Sequence, residues 1–340
     1  MRIGITCDIQ GHSAVSADAS DDLEEEFDKP ETVNAIAAVL RELGHEVEML
    51  GDGPQMLRRV LDDPPEFVFN FAEGTGISRS REARVPAVLE MLGIPYSGSD
   101  PLTLAATLDK DCAKRLVQSA GVKTPRWEMA DCPGAPGRIA DWEKHAARIG
   151  FPLIVKPAYE GSSKGIRTKS LVESPAELGP LVSELWSNYR QPALVEEFIA
   201  GDEVTVGVVG NDPPRVLGMM RISPAEPTER FVYSLEVKRD WQRQVRYEAP
   251  PKLPVSCTAR LEEAALACYR VLGCRDVSRV DFRLRDGEPY FLEVNPLPGL
   301  HPHNSDLVIM ARGYGVSHSE LVRMILQAAC DRQHLSWSTT

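Results

Sequence analysis

Arg279, Asp281, Glu293 and Asn295 have the residue types and the spacing to do chemistry together. They fall on two short apolar-polar segments separated by Asp286-Gly287, a strong short-range hairpin signal. On the first segment Val280, Phe282 and Leu284 alternate with Arg279, Asp281 and Arg283. On the second, Leu292 and Val294 alternate with Phe291, Glu293 and Asn295. Strand side chains repeat with period two, so each segment has an apolar face and a polar one. A two-residue loop would set Asp281 opposite Leu292 and mix the faces. A three-residue loop, Asp286 to Glu288, sets Asp281 opposite Glu293 and Val280 opposite Val294, and is therefore expected. It brings Asp281, Glu293 and Asn295 to one face beside Arg279. Three hard oxygen donors suit Mg²⁺, which takes one or two carboxylates and fills its octahedron with water and phosphate oxygens. The same residues equally make a solvated strand face with an Arg/acid pair.

Other stretches offer partners for such a metal. Gly161-Ser162-Ser163-Lys164-Gly165 presents backbone amides, two hydroxyls and an ammonium, a set that suits phosphate although it lacks the P-loop spacing. A plain glycine turn reads the same way. Lys110, Lys156 and Lys238 could each neutralise triphosphate oxygens, or be surface lysines. Glu196-Glu197-Phe198-Ile199, followed by Glu203, could offer backbone groups to adenine and a carboxylate to ribose, or be a strand with acidic outer positions.

Positioning these groups takes a substantial fold. The chain has 340 residues, 43% hydrophobic and 26% charged, enough for two or three domains with real cores. A net charge of −12 without a basic block argues against nucleic acid as a partner. Seven cysteines without a C-x-x-C favour reduced thiols and a cytoplasmic setting. Met1 leads directly into an apparent strand with no signal-like segment, and no uncharged apolar run approaches membrane-spanning length. Strand signals at 3–7, 45–50 and 67–71 alternate with helical ones at about 30–43 and 85–92, which predicts a small parallel α/β domain through about residue 105. Residues 8–28, rich in Asp and Glu, are expected to form a mobile loop. Residues 106–125 read as helical up to Gly121, with Lys110, Lys114 and Arg115 exposed. Residues 222–250 mix Pro, Arg, Glu and aromatics without periodicity and read as a functional lid.

Taken in chain order, Tyr96-Ser97-Gly98-Ser99, Leu108-Asp109-Lys110, Val155-Lys156-Pro157, Gly161-Ser162-Ser163, Leu194-Val195-Glu196, Arg279-Val280-Asp281-Phe282 and Leu292-Glu293-Val294-Asn295-Pro296 resemble the ATP-grasp superfamily. Within it they are most similar to the D-alanine–D-alanine ligase family. The resemblance runs from about Phe69 to Leu326. It implies an α/β (overall α+β) ATP-grasp fold: an N-terminal parallel-sheet domain (1–105), a central lid domain (106–190) and a C-terminal domain carrying the metal site (191–340). It also implies ATP, with two Mg²⁺ ions or Mn²⁺ in their place, small amino-acid substrates and a homodimer. Lys110 and Lys156 match the family's nucleotide-phosphate lysines, Ser162 its active-site serine with Ser163 beside it, and Lys238 the lysine that closes over the triphosphate. Glu196, Glu197 and Ile199 match the adenine-binding strand, and Glu203 the ribose carboxylate. Asp281, Glu293 and Asn295 match the magnesium ligands. Arg279 and the amides of Gly299-Leu300 match the groups that hold the tetrahedral intermediate.

The resemblance implies a carboxylate–amine ligase working through an acylphosphate. The same chemistry with a hydroxyl acceptor, and a non-catalytic ATP-binding regulator, stand as alternatives. Departures fall at substrate contacts. The family's Gly-Gly-x-Ser-x-Glu-His segment, whose Glu anchors the first amine, is replaced by Asp8-Ile9-Gln10-Gly11-His12-Ser13 and the acidic stretch. Its His-Gly is Glu73-Gly74, the aromatic after the lid lysine is Arg239, and its His-Ser is His303-Asn304. Arg79, Arg81 and Arg84 lie near the substrate side or form a solvated helix start. Glu73, Arg81, Arg239, Gly299 and Asn304 are thus the candidate substrate contacts.

Overall fold

The computed structural model describes residues 1–11, 20–131, 142–228 and 230–337. The chain opens with β1 (Arg2–Cys7), α1 (Pro30–Glu42), β2 (Glu46–Met49), α2 (Gly53–Asp62), β3 (Phe67–Phe71) and α3 (Arg84–Leu92). There follow α4 (Pro101–Leu108), α5 (Lys110–Ser119), β4 (Trp127–Ala130), α6 (Trp142–Ile149), β5 (Leu153–Pro157), β6 (Leu171–Val172), α7 (Pro175–Tyr189) and β7 (Ala193–Glu197). The rest comprises β8 (Glu203–Val209), β9 (Arg215–Pro224), α8 (Leu235–Arg239), α9 (Trp241–Gln244), β10 (Val245–Glu248), α10 (Val255–Val271), β11 (Val277–Arg285), β12 (Glu288–Asn295), α11 (Asp306–Gly313) and α12 (His318–Arg332).

Three sheets result. The first is parallel, in the order β2-β1-β3, as the alternating pattern predicts. Strands β1 and β3 are largely apolar runs because both faces are covered, while the edge strand β2 alternates and is only partly buried. Ile3 and Ile5 pack with Val33, Ile36 and Leu40 of α1 and with Leu321 and Ile325 of α12. The other two are antiparallel, β4-β7-β5-β6 and β10-β9-β8-β11-β12. Helix α10 covers the five-stranded sheet through Leu261, Ala265 and Cys268 against Val204, Val280 and Phe282. Helices α6 and α7 cover the four-stranded one.

The hairpin β11–β12 corrects the expected loop. Arg285 pairs with Glu288, so the turn has two residues, and Asp286 and Gly287 take φ of 55° and 73°, as a tight primed turn demands. Asp281 nevertheless lies opposite Glu293 and Val280 opposite Val294. A β-bulge reconciles the two: Phe282 faces Phe291, the next pair is Asp281 with Glu293, and Leu292 is the extra residue. The bulge sends Phe291 into the core against Phe282 and turns both Leu292 and Glu293 to the cavity side.

Two further expectations fail for electrostatic reasons. Lys110 and Lys114 are buried, not exposed, since each finds a carboxylate, Glu293 for Lys110 and the buried Glu196 for Lys114. Lys114, at 0% exposure, lies 2.7 Å from Glu196 and donates to Thr124 at 2.7 Å, while Lys156 takes the other Glu196 oxygen at 2.7 Å. This triad fastens α5 and β5 to β7. The acidic stretch is likewise no free loop over residues 20–28. Asp22 accepts from the Gly165 amide (2.9 Å) and the Tyr189 hydroxyl (2.7 Å), and Glu26 binds Arg81 at 2.7 Å. Residues 12–19, which include His12 and Ser13 of the replaced anchor segment, lie outside the described residues, as do Cys132 and Glu229 of the lid stretch.

Gly201, between β7 and β8, joins the two antiparallel sheets at φ 129°, where a Cβ would stand 2.0 Å from the Leu284 carbonyl oxygen. Gly201→Ala is expected to cost about 2 kcal/mol or more in chemical denaturation. Lys114→Met leaves Glu196 with one cation and is expected to destabilise by about 3 kcal/mol, measured the same way. Wild-type stability in either variant contradicts the packing described.

Candidate active site

Two adjoining cavities hold most of the residues that the sequence singles out. The first lies between the two antiparallel sheets. Ile154, Lys156, Glu196 and Glu197 line it from one side, and Glu203, Arg279, Asp281, Arg283, Leu292 and Glu293 from the other. Ile199, Phe198 and Ile222 give it an apolar end suited to a flat ring. The second lies at the carboxyl end of β3, the end of an open α/β sheet where ligands bind, and runs past Lys110 and Gly161-Ser162 to Asn295 and Gly299. Lys238, Arg279 and Glu293 line both.

Glu293 is the electrostatic centre. Burial alone would push its carboxyl up, but Lys110, Lys156, Lys238 and Arg279 outweigh it and hold it down at about 2. Lys110 stands 3.5 Å away. Asp281 accepts from Arg279 at 2.9 Å and from Thr205 at 2.6 Å, and Asn295 donates to it at 3.3 Å. Arg279 also reaches Asp306 at 3.4 Å. Two carboxylates and an amide thus converge, a hard-oxygen set that fits Mg²⁺. Among the described residues no three His, Cys, Asp or Glu side chains gather as a metal cluster, so the carboxamide is essential to the set.

The candidate phosphate-side groups are firmly placed. Burial alone would lower the Lys156 pKa, but Glu196 and Glu293 raise it, so the lysine stays charged. Lys238 lies 5.1 Å over the Tyr233 ring. Ser162 and Ser163 have φ of 51° and 59°, an unusual pair of left-handed non-glycine residues. Ser163 donates to the Tyr233 carbonyl at 2.9 Å and faces the first cavity, while Ser162 is exposed to the second. Glu203 bonds Arg283 at 2.9 Å, and burial pushes its carboxyl up. Glu197 is held by Arg285 at 2.6 Å and Arg126 at 3.1 Å. Glu196 spends both oxygens on Lys114 and Lys156, which leaves only its backbone for a ligand.

The candidate substrate contacts divide. Glu73 and Gly299 line the second cavity. Arg81 does not: at 1% exposure it is locked to Glu26, Glu160 (3.2 Å) and the Tyr159 carbonyl (2.7 Å), because a buried guanidinium must pair. Arg239 also turns away from both cavities, to Asp21 and Glu25 at 2.8 Å each. Asn304 is exposed, and it is Ser305 that approaches Gly299, 2.8 Å from where a Cβ would sit. Sequence reasoning missed Ser305, Glu26 and Glu82. The serine's signal was one residue away from the expected His-Ser, and the two acids carried no motif.

Comparison with known proteins follows this geometry. The family described as D-ala D-ala ligase C-terminus matches residues 116–327. The chain is 35% identical over 306 residues to an uncharacterized protein of Sinorhizobium fredii, covering 87% of this chain and 86% of that one. It is 34% identical over 307 residues to the D-alanine–D-alanine ligase of Ralstonia pickettii, covering 89% and 87%. The structure of D-alanine–D-alanine ligase from Bacillus anthracis complexed with ATP superposes with a TM-score of 0.71 at 25% identity, covering 98% of this chain and 99% of that one. With its motifs in order and these likenesses spanning nearly its whole length, the chain belongs to the D-alanine–D-alanine ligase family, ATP-dependent ligases on the ATP-grasp fold.

Proposed function

We propose that the protein joins two small amino acids through an acylphosphate, consuming ATP and releasing ADP and phosphate. One observation carries this reading: Lys238, Arg279 and Glu293 form the wall shared by the two cavities, so a nucleotide in one meets a carboxylate in the other. The ATP in the related Bacillus structure supports nucleotide binding in the first cavity. Ile199 and the backbone of Glu196 and Glu197 take adenine, Glu203 takes ribose, and Lys156, Lys110, Ser162 and Ser163 take phosphate oxygens.

Asp281, Glu293 and Asn295 would hold Mg²⁺, which when bound supplies positive charge beside the phosphates. The residues of the chain do the rest. Lys156, Lys110 and Lys238 orient the γ-phosphate toward the second cavity and offset its negative charge, the main demand of phosphoryl transfer. The first amino acid's carboxylate attacks the γ-phosphorus, and ADP leaves. The second amino acid's amine attacks the acyl carbon, Arg279 and the Gly299-Leu300 amides hold the oxyanion, and phosphate departs. The stretch 222–250, with Lys238 on α8, excludes water that would hydrolyse the acylphosphate. Arg239 acts here as a positioning residue, fixing α8 to Asp21 and Glu25.

The division into an N-terminal α/β domain (1–105), a central lid domain and a C-terminal domain belongs to the same proposal. Pairing of β7 with β5 favours moving the second boundary from 190 to about residue 199. No helix among the described residues is long and apolar enough to cross a membrane. With the net charge of −12, this favours a cytoplasmic enzyme with small-molecule partners, and the family favours a homodimer.

A phosphate-release assay with ATP, Mg²⁺ and pairs of D- and L-amino acids tests the reading. Release that requires amino acids is expected; no release with any pair, alongside measurable ATP binding, would indicate a regulator. Glu293→Gln is expected to lower kcat at least about a hundredfold with an unchanged circular dichroism spectrum. Wild-type turnover in that variant would refute the assignment.

A further inference from the structure

The second cavity holds more carboxyls than its own cations balance. Glu26 is satisfied by Arg81 and the Gly161 amide, and Glu160 by Lys164 at 2.8 Å and Gln191 at 2.5 Å. Asp28, Glu73 and Glu82 remain, all lining the cavity. Among the described residues none of the three has a cation within ion-pair distance. Glu82 is 7% exposed and is hydrogen-bonded to the neighbouring Glu73 carboxyl. Asp28 takes a hydrogen bond only from Thr32.

Burial outweighs the pull of Arg81 and Lys110 and pushes Glu82 up to about 8; it pushes Asp28 up to about 8 as well and Glu73 well above its ordinary range. Desolvated carboxyls facing an enclosed space are costly to keep unless a cation comes to them. The rest of the wall is of another kind: Phe71, Leu108, Val294 and Leu297 are apolar. An apolar wall ending in paired acids suits a methylene stem with an ammonium head. A single α-ammonium neutralises only one carboxylate and leaves this end unmatched.

We propose that one of the two amino acids joined is dibasic, its side-chain ammonium seated on Asp28, Glu73 and Glu82 and its stem on Leu108 and Leu297. The proposal rests on the ligase reading for its reaction but not for its binding step, so the two can fail separately.

The test measures binding first. The full-length protein with ATP analogue and Mg²⁺ is titrated calorimetrically with alanine, 2,3-diaminopropionate, 2,4-diaminobutyrate, ornithine and lysine, each as D and L forms. At least one dibasic amino acid is expected to bind about tenfold or more tightly than alanine, and Glu82→Gln to remove that margin while ATP affinity stays unchanged. Asp28→Asn provides the same readout should Glu82→Gln fail to fold. Turnover assays with the same pairs are expected to show the preference in kcat/KM. Equal or tighter binding of alanine overturns the proposal, as does a preference that both variants leave intact. In those cases the three acids are a protonated structural wall. Selective dibasic binding without phosphate release supports the site and refutes the ligase reading instead.

Discussion

Glu293 is a carboxylate held in a closed crevice by Lys110, Lys156, Lys238 and Arg279, and the arrangement of the rest follows from keeping it there. Burying an ion costs several kcal/mol even after relaxation, so each charge in the crevice must be met by another. That requirement places Lys110 at the head of α5, Lys156 on β5 and Lys238 on α8, each from a different layer, around one residue of β12. Glu196 does the same from the opposite sheet, spending its oxygens on Lys114 and Lys156. The crevice is therefore a chain of compensated charges.

Helix α8 is held in the same way at lower strength. Asp21 and Glu25 pair with Arg239, and Asp21 and Asp22 with Arg167, next to the glycine loop. Exposed pairs of this kind contribute little singly, but here they act together with the buried Asp22 and Glu26 contacts. The stretch after β1 thus ties the first sheet to both the glycine loop and α8, and Lys238 is positioned by its neighbour in sequence. A segment too acidic to form a core is well suited to this work, since its partners Arg81, Arg167 and Arg239 are cations on three different stretches of the chain.

Much of this was legible in the sequence. The parallel α/β pattern, the strands bearing Lys156, Glu196 and Asp281, and the glycine loop all follow from local periodicity and turn chemistry. The facing of Asp281 and Glu293 was read correctly through a wrong loop: alternation implied that the two must oppose each other, but a bulge at Leu292 achieves this, and a bulge has no compositional signal. Lys114, Arg81 and Glu82 were misread or unread for one reason. A charged residue in a sequence looks exposed, and only tertiary pairing reveals that it is buried. Arg239 and Asn304 were expected at the substrate because of their place in the motif order, but the direction a side chain takes depends on partners far away in the chain.

The central claim is that a carboxylate oxygen of one amino acid crosses from the second cavity to the γ-phosphorus in the first. Turnover with an amino acid labelled with ¹⁸O in its carboxylate, followed by mass analysis of the released phosphate, tests it most directly. The account predicts one ¹⁸O in phosphate for every amide formed. Amide formation with unlabelled phosphate would contradict it.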